Sequence, residues 1–188
     1  MRLNLKVLVP GAIIAGLLSG WLVGIWATPY LATDAMFSRF VSNGAKSNTL
    51  SKAPLRTAKT AKVVADNADT LTRSSMLDLG DGPLLLDVEL PTKSAYWSVS
   101  LFAHNTDTFY VGNDQTIETA QPGRFRLAIK LADQNVPDGI ADAIAISPSR
   151  TGFLIIRATM PDRTDPVAVK ELQDEVLQSR LQRLEISG

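Results

Sequence analysis

The pattern of apolar and polar positions divides the chain into three regions, of which the first is a continuous apolar run. The run extends from residue 7 to residue 27 without a charged side chain. A helix needs about 20 apolar residues to cross the hydrocarbon layer of a membrane. Trp26 and Tyr30 follow at positions where aromatic residues commonly mark the membrane surface. Because the run is longer than the ~7–15 apolar residues of a cleaved signal peptide, we predict an uncleaved anchor over residues 1–32.

The basic residues that flank this run predict its orientation only weakly. Arg2 and Lys6 precede it, and Arg39 and Lys46 follow it. The positive-inside rule counts such residues near both ends, and here the two counts nearly balance. A short amino-terminal tail stays inside easily while a long domain is exported, so we predict a single-pass protein with its carboxyl-terminal domain outside.

Three glycines recur every four residues within the apolar run. Gly16, Gly20 and Gly24 therefore share one face of the predicted helix. Small residues at this spacing let two helix backbones approach closely. The pattern predicts a homo-oligomer, or docking to a membrane partner, through this glycine face. The alternative is that the glycines have no such role, because glycine is frequent in membrane-spanning helices.

The second region, residues 33–62, is predicted to be a basic tether. Its beginning can extend the helix, with Phe37 and Phe40 on an apolar side, until Asn43 and Gly44 end it. The basic residues that follow can lie against anionic headgroups. The alternative is a solvated linker, which we favour because no amphipathic period organises the charges.

The third region, residues 63–188, alternates between apolar and polar positions as β-strands do. Gly, Pro, Asn and Asp turns separate the predicted strands, which cover residues 84–90, 96–103, 109–111, 125–131, 143–146 and 152–156. The run at 152–156 is apolar throughout and predicts a central strand. Because no βαβ alternation occurs, a dinucleotide-binding fold is disfavoured.

A helix is predicted to follow the strands and to pack on the open face of the sheet. Asp165 can cap its amino terminus, with Pro166 in its first turn. An apolar stripe predicts that it continues through Val169, Leu172, Val176, Leu177, Leu181 and Leu184. The predicted fold class is therefore mainly β (α+β): an antiparallel β-sheet or sandwich domain with a C-terminal helix, preceded by one transmembrane helix.

Charge and residue usage exclude several classes of site. The formal net charge is zero, yet residues 35–65 carry six basic and no acidic side chains, while residues 75–188 carry 10 basic and 16 acidic ones. An acidic domain argues against nucleic-acid binding. The chain has no cysteine and one histidine, His104. We therefore expect no disulfide, no metal centre and no cofactor.

Two segments, residues 67–86 and 95–114, resemble the bacterial family called domain of unknown function 1254. That family has an N-x-D-T-L segment, a D-L and G-P entry into a strand, and then an aromatic strand. The matching positions are Asn67, Asp69, Thr70, Leu71, Asp78, Leu79, Gly82, Pro83 and Tyr96. The chain departs from the family at Asp66, where proline is usual, and at Thr72, where tyrosine is usual. The resemblance covers residues 60–160.

This resemblance implies a setting rather than a reaction. It implies a short, anchored member of the bacterial inner membrane with a periplasmic domain. It also implies a companion protein of the related domain of unknown function 1214. Asn67, Asp69 and Thr70 are the motif residues that would carry a role. Asn and Asp before Thr also cap turns by accepting hydrogen bonds from backbone amides, and we favour that structural role.

One strand face is a candidate binding surface. Opposite the Trp97 row, the strand at residues 96–104 carries Tyr96, Ser98, Ser100, Phe102 and His104, and Tyr110 of the next strand is expected to join them. Such aromatic and polar faces can bind a sugar or a lipid headgroup. The alternative is a face that simply packs under the terminal helix. Because the chain lacks a G-x-S-x-G elbow, a hydrolytic triad around His104 is disfavoured.

The sequence therefore predicts a single-span envelope protein in contact with membrane lipid. Its exported domain is expected to act by binding or assembly, with no catalytic residue. The alternative is an enzyme that acts on envelope lipid or glycan through the Tyr96–His104 face.

Overall fold

The computed structural model describes residues 5–52, 67 and 69–184, and begins with a long helix, α1 (Leu5–Ser42). Its 38 residues make it about 57 Å long, nearly twice the hydrocarbon thickness of a membrane. Apolar side chains along its first half are exposed, among them Trp21 and Trp26. Within the described residues, one helix is long and apolar enough to cross a membrane, and it is this one.

Within the part of the chain that the structure describes, eight strands and one further helix follow α1. They are β1 (Thr70–Asp78), β2 (Leu84–Glu89), β3 (Tyr96–Ala103), β4 (Thr108–Asn113), β5 (Arg124–Lys130), β6 (Ala143–Ile146), β7 (Thr151–Thr159), α2 (Pro166–Gln178) and β8 (Arg180–Arg183). The first sheet has the order β1-β7-β3-β4, and the second has the order β6-β5-β2-β8. All neighbours are antiparallel except β5 and β6, which are parallel.

The two sheets share one hydrophobic core, which the alternation of apolar residues creates. Residues two apart point to the same side of a strand, so each strand sends one apolar row inward. The largest fully buried side chains come from both sheets and include Leu71, Leu101 and Leu154 of the first and Leu84, Leu86, Phe125, Leu127 and Ile129 of the second. The predicted fold class, mainly β with a terminal helix and an apolar amino-terminal helix, is confirmed.

Strand β7 is central, as its apolar run predicts. It lies between β1 and β3, and its Leu154 and Ile156 are buried in the core. Phe153 and Ile155 point to the other face and are half-buried. Gly152 permits close packing, because an added Cβ would lie 2.5 Å from the carbonyl oxygen of Phe102.

Helix α2 begins as predicted but ends earlier. Asp165 caps it by accepting hydrogen bonds from the amides of Val167 and Ala168, at 2.9 and 3.2 Å. The prediction that the helix continues through Leu181 and Leu184 is wrong. The chain becomes extended at Ser179, and β8 then pairs with the free edge of β2. Backbone groups of that edge thereby gain partners that a longer helix would not supply.

The position of α2 also differs from the prediction. It contacts β1 of one sheet and β2 of the other. Its buried residues Val169, Leu172 and Val176 belong to the shared core. The helix therefore closes one side of that core between the sheets, rather than covering an open sheet face.

Arg73 of β1 is buried, 8% exposed, and satisfies the carboxyl end of α2. Its Nη1 donates to the carbonyl oxygens of Val176, Leu177 and Ser179 at 3.1, 3.2 and 2.8 Å. Its Nε donates to the carbonyl of Ser51 at 2.8 Å. Burial lowers the pKa of Arg73 from its ordinary value. A cation suits this place, because a helix carries partial negative charge at its carboxyl end.

In the predicted tether, residues 48–51 form hydrogen bonds with β1. The amides of Asn48 and Ser51 donate to the carbonyls of Met76 and Ser74, both at 2.8 Å. The side chain of Asn48 also exchanges two hydrogen bonds, each 2.8 Å long, with the backbone of Asp78. Residues 48–51 thus line the outer edge of β1. Residues 53–62 of the predicted tether lie outside the described residues, as do 1–4, 63–66, 68 and 185–188.

The contacts of Arg73 predict a large loss of stability on its removal. In Arg73→Met, the carbonyls at the end of α2 lose a charged donor, and hydrogen bonds of this kind are worth about 1.5–3 kcal/mol. We expect the free energy of unfolding to fall by about 2–3 kcal/mol, measured by denaturant unfolding of the full chain in detergent. Arg163→Met is the control, because Arg163 is exposed beside Asp69. An equal loss in both variants would contradict the capping role.

The turn after β1 predicts a pH-dependent contribution to stability. A hydrogen bond from Arg150 to Asp78, 3.0 Å long, holds the pKa of that carboxyl below its ordinary value. A carboxyl with a lowered folded-state pKa stabilises the fold above its ordinary pKa of about 3.9, and this is lost as the pH falls through the lowered value. Asp78→Asn should therefore be less stable than the parent at pH 7, by about 1 kcal/mol or less for so exposed a pair. The difference should shrink on acidification when melting temperature is followed against pH. A pH-independent difference would sink the interpretation.

Candidate functional site at the helix–sheet junction

The outward-facing row of β3 is the face that the sequence singles out. Ser98 and Ser100 are 4% and 7% exposed, so both lie recessed between larger neighbours. Tyr96, at the start of the strand, is 40% exposed. Phe102 pairs with Phe153 of β7 and is half-buried. The structure thus places these four side chains on one face, as predicted.

Tyr110 lies elsewhere. It pairs with Leu101 across β3 and β4, and directly opposed residues of an antiparallel pair point to the same side. Leu101 is fully buried, and Tyr110 packs against the core cluster with it. Burial raises the pKa of Tyr110 above its ordinary value. Tyr110 is therefore not brought together with Ser100, Phe102 and His104.

One face of α1 covers one end of this outer surface. Tyr30, Thr33, Phe37 and Phe40 are spaced three or four residues apart, so they share a helix face. Thr33 is only 4% exposed. The rings of Phe40 and Phe153 stack with centroids 5.8 Å apart and planes inclined by 13°. The same helix, α1, therefore contains both the segment that is apolar enough to cross a membrane and the segment that packs on the domain.

His104 is the polar centre of this helix–sheet junction. Its ring lies between two aromatic rings of α1, with centroids 5.8 Å from Tyr30 and 6.1 Å from Phe37. Its Nε2 lies 3.2 Å from Oδ1 of Asp34. Its Nδ1 shares a hydrogen bond of 2.8 Å with the hydroxyl of Thr151. The side chain of His104 is 18% exposed, so most of it is removed from solvent.

The carboxylate of Asp34 lies within ion-pair distance of Nε2 of His104. The Thr151 hydroxyl can donate to Nδ1 or accept from it, depending on the tautomer of the ring. The junction therefore joins α1 to the sheet by polar contacts as well as by ring packing. The imidazole of His104 thus has a carboxylate beside one nitrogen and a hydroxyl beside the other, and such groups can together activate a hydroxyl.

The family-type motif before β1 forms a turn. Oδ1 of Asn67 accepts from the amide of Asp69 at 2.9 Å. The carbonyl of Asp69 accepts from the amide of Met160, and Thr70 begins β1 opposite Thr159. Asn67, Asp69 and Thr70 thus start the strand and lie at the opposite end of β1 from the junction. The contact of Asn67 fits the turn-capping role favoured from the sequence, whereas the carboxylate of Asp69 lies 3.5 Å from Nη1 of Arg163.

The glycine face of α1 is open. A Cβ added at Gly16, Gly20 or Gly24 would meet no atom within 4 Å. At 3.6 residues per turn, Gly24 points away from Thr33, which faces the sheet. The domain therefore does not cover the glycine face.

The described residues contain no group of three or more His, Cys, Asp or Glu side chains that could hold a metal ion. Sequence reasoning selected His104 but not its partner Asp34, 70 positions earlier. The available signal was the Tyr30, Thr33, Phe37, Phe40 spacing, which marks a helix face that needs a packing partner.

Comparisons with known proteins agree with this architecture. The crystal structure of the VPA0106 protein from Vibrio parahaemolyticus has a TM-score of 0.64 and 16% identity, over 83% of this chain and 35% of that one. The crystal structure of an uncharacterised protein from Burkholderia cenocepacia has a TM-score of 0.50 and 18% identity, over 87% of this chain and 41% of that one. The chain thus spans well under half the length of either neighbour, and these likenesses show the fold alone.

The family assignment comes from the sequence itself. No curated protein matches the chain. The family described as "Protein of unknown function (DUF1254)" matches residues 47–179, which include every strand from β1 to β7 and all of α2. The family resemblance noted from the Asn67–Tyr96 motif is thereby confirmed, and the chain belongs to the DUF1254 family.

Proposed function

We propose that this protein is a single-span component of the bacterial cell envelope that acts by binding or assembly. Its amino terminus lies in the cytoplasm, its anchor lies in the inner membrane, and its β-domain lies in the periplasm. The observation that carries the proposal is the continuity of α1 from the apolar run into the helix–sheet junction. A helix that docks on its own domain holds that domain at a fixed height and orientation relative to the membrane. A protein that presents a binding surface to partners requires such a fixed placement.

The proposed partners are membrane lipid, a second copy of the chain, and a companion protein of the DUF1214 type. The longer chains of the two structural neighbours support a companion, because this chain corresponds to only part of each of them. The open glycine face supports pairing within the membrane, because the domain lies on the other side of α1.

A second candidate function is an enzyme that acts on envelope lipid or glycan. The contacts of His104 with Asp34 and Thr151 favour it, since an imidazole beside a carboxylate can take the proton of a hydroxyl nucleophile. Thr151→Val separates the two functions. It removes the hydroxyl but leaves Tyr30, Asp34 and Phe37 in contact with His104. An assembly role predicts that the variant complements a deletion strain, whereas a catalytic role predicts that it does not.

Docking of α1 can be tested by crosslinking, because the chain has no cysteine of its own. In membranes, Phe40→Cys with Phe153→Cys should react efficiently with a short thiol-to-thiol reagent. Ser38→Cys with Phe153→Cys is the control, because Ser38 is exposed on another side of the helix. Adding His104→Ala to the reactive pair should lower the yield severalfold. Equal yields from the test and control pairs would refute a docked helix.

Pairing through the glycine face predicts a specific loss on enlarging one glycine. Gly20→Leu should abolish co-purification of two differently tagged copies, or of a companion, from membranes, because it separates the helix backbones. Ala15→Leu adds a similar bulk on another face and should have little effect. Retained co-purification of Gly20→Leu would count against the glycine face.

Orientation is tested with reporters fused to the carboxyl terminus. An enzyme reporter that is active only in the periplasm should be active, and a fluorescent reporter that matures only in the cytoplasm should be dark. The reverse pattern would overturn the proposed periplasmic location.

A further inference from the structure

A half-enclosed groove of about 280 Å³ lies beside the helix–sheet junction. It opens between the last turn of α1, the loop at residues 43–51 and the outer face of β1 and β7. The stacked rings of Phe40 and Phe153 form one wall, and Met76 and Leu50 contribute further apolar surface. The groove is thus continuous with the surface on which α1 docks.

The loop that frames the groove is held in place rather than free to collapse into it. Asn48 adopts a left-handed backbone conformation, φ 58°, which asparagine tolerates better than most residues. Its side chain is fixed by the backbone of Asp78, and the Ser51 carbonyl is fixed by Arg73. A preformed groove binds a ligand without first ordering its walls.

The hydroxyl groups that line the groove already have partners. Ser51 Oγ lies 3.4 Å from Ser74 Oγ and accepts from the Ser74 amide. The hydroxyls of Ser75 and Thr49 donate to the carbonyls of Met76 and Ser47. The lining therefore needs few further hydrogen bonds from a ligand and favours an apolar one.

Among the described residues that line the groove, Lys46 is the one ionisable residue. Its side chain makes no ion pair with a described acidic residue. An apolar groove with a single cation at its border is complementary to an apolar chain that carries one negative charge. The volume lies just below the ~300–1,000 Å³ of most small-molecule sites, so it suits a slender ligand.

We infer that this groove binds one acyl chain of an anionic single-chain amphiphile, such as a fatty acid or a lysophospholipid, with its charged group beside Lys46. Because α1 joins the domain to the membrane, the source of such molecules is the adjoining bilayer. The inference goes beyond the assembly role and uses a site separate from the Tyr96–His104 face.

The test uses the full chain in phosphatidylcholine nanodiscs and a diazirine derivative of palmitic acid. After irradiation, mass spectrometry should find the label on peptides that contain Phe40, Met76 or Phe153. Unlabelled palmitic acid and lysophosphatidylglycerol should each compete, and whichever competes at lower concentration identifies the preferred source. Competition by neither would overturn the inference, as would label confined to the apolar half of α1.

Two variants and their controls test the groove and its cation separately. Ala45→Trp fills the groove and should abolish the labelling, whereas Ser38→Trp, on exposed helix surface, should not change it. Lys46→Gln should weaken competition by palmitic acid about two- to fivefold, the range expected for an exposed charge pair, whereas Lys52→Gln should not. Unchanged labelling of Ala45→Trp would overturn the site. Competition by palmityl alcohol as strong as that by palmitic acid would overturn the charge preference.

These results are distinguishable from failure of the assembly role. Crosslinking of Phe40→Cys with Phe153→Cys and the reporter fusions report docking and orientation without any lipid probe. A docked protein in the proposed orientation whose groove does not label would refute this inference alone.

Discussion

The packing of one face of α1 on the outer surface of the first sheet is the contact on which the arrangement of the whole chain depends. Residues 30–40 lie beyond the apolar run, yet their aromatic side chains continue along one side of the helix. If these rings were exposed to water, the chain would lose the favourable free energy of transferring them out of water. Their packing on Phe153 and His104 makes α1 and the domain parts of one packed unit.

The sequence predicts the strands whose two faces differ most. β5 alternates cleanly because its inner row packs in the core, whereas its outer row, apart from the buried Ala128, is exposed or half-buried. β1 escapes such a prediction because Arg73 and Ser75 are buried among apolar neighbours. Arg73 is buried because it donates hydrogen bonds to carbonyls at the end of α2. No local pattern can reveal such a partner, which lies more than 100 residues away. Long-range polar contacts of this kind set the limit of prediction from a single chain.

The sequence pattern does not predict the end of α2 or the helix–sheet junction, and the reasons are related. Leu177, Leu181 and Leu184 satisfy helical spacing, but the free edge of β2 offers backbone hydrogen bonds that an exposed helical turn does not. His104 is conspicuous as the single histidine, whereas Asp34 looks like the first charge after an apolar run. Only the docking of α1 brings the two together.

Arg73 has a consequence for the motions of the domain. A single guanidinium holds the carbonyl of Ser51, in the loop after α1, and three carbonyls around the end of α2. Segments that share a buried hydrogen-bond donor tend to open together rather than one at a time. We therefore expect the loop at 48–51, the end of α2 and the beginning of β8 to open as one cooperative unit. An event that loosens α2 would therefore also loosen the loop that follows α1, although the two lie far apart in the sequence.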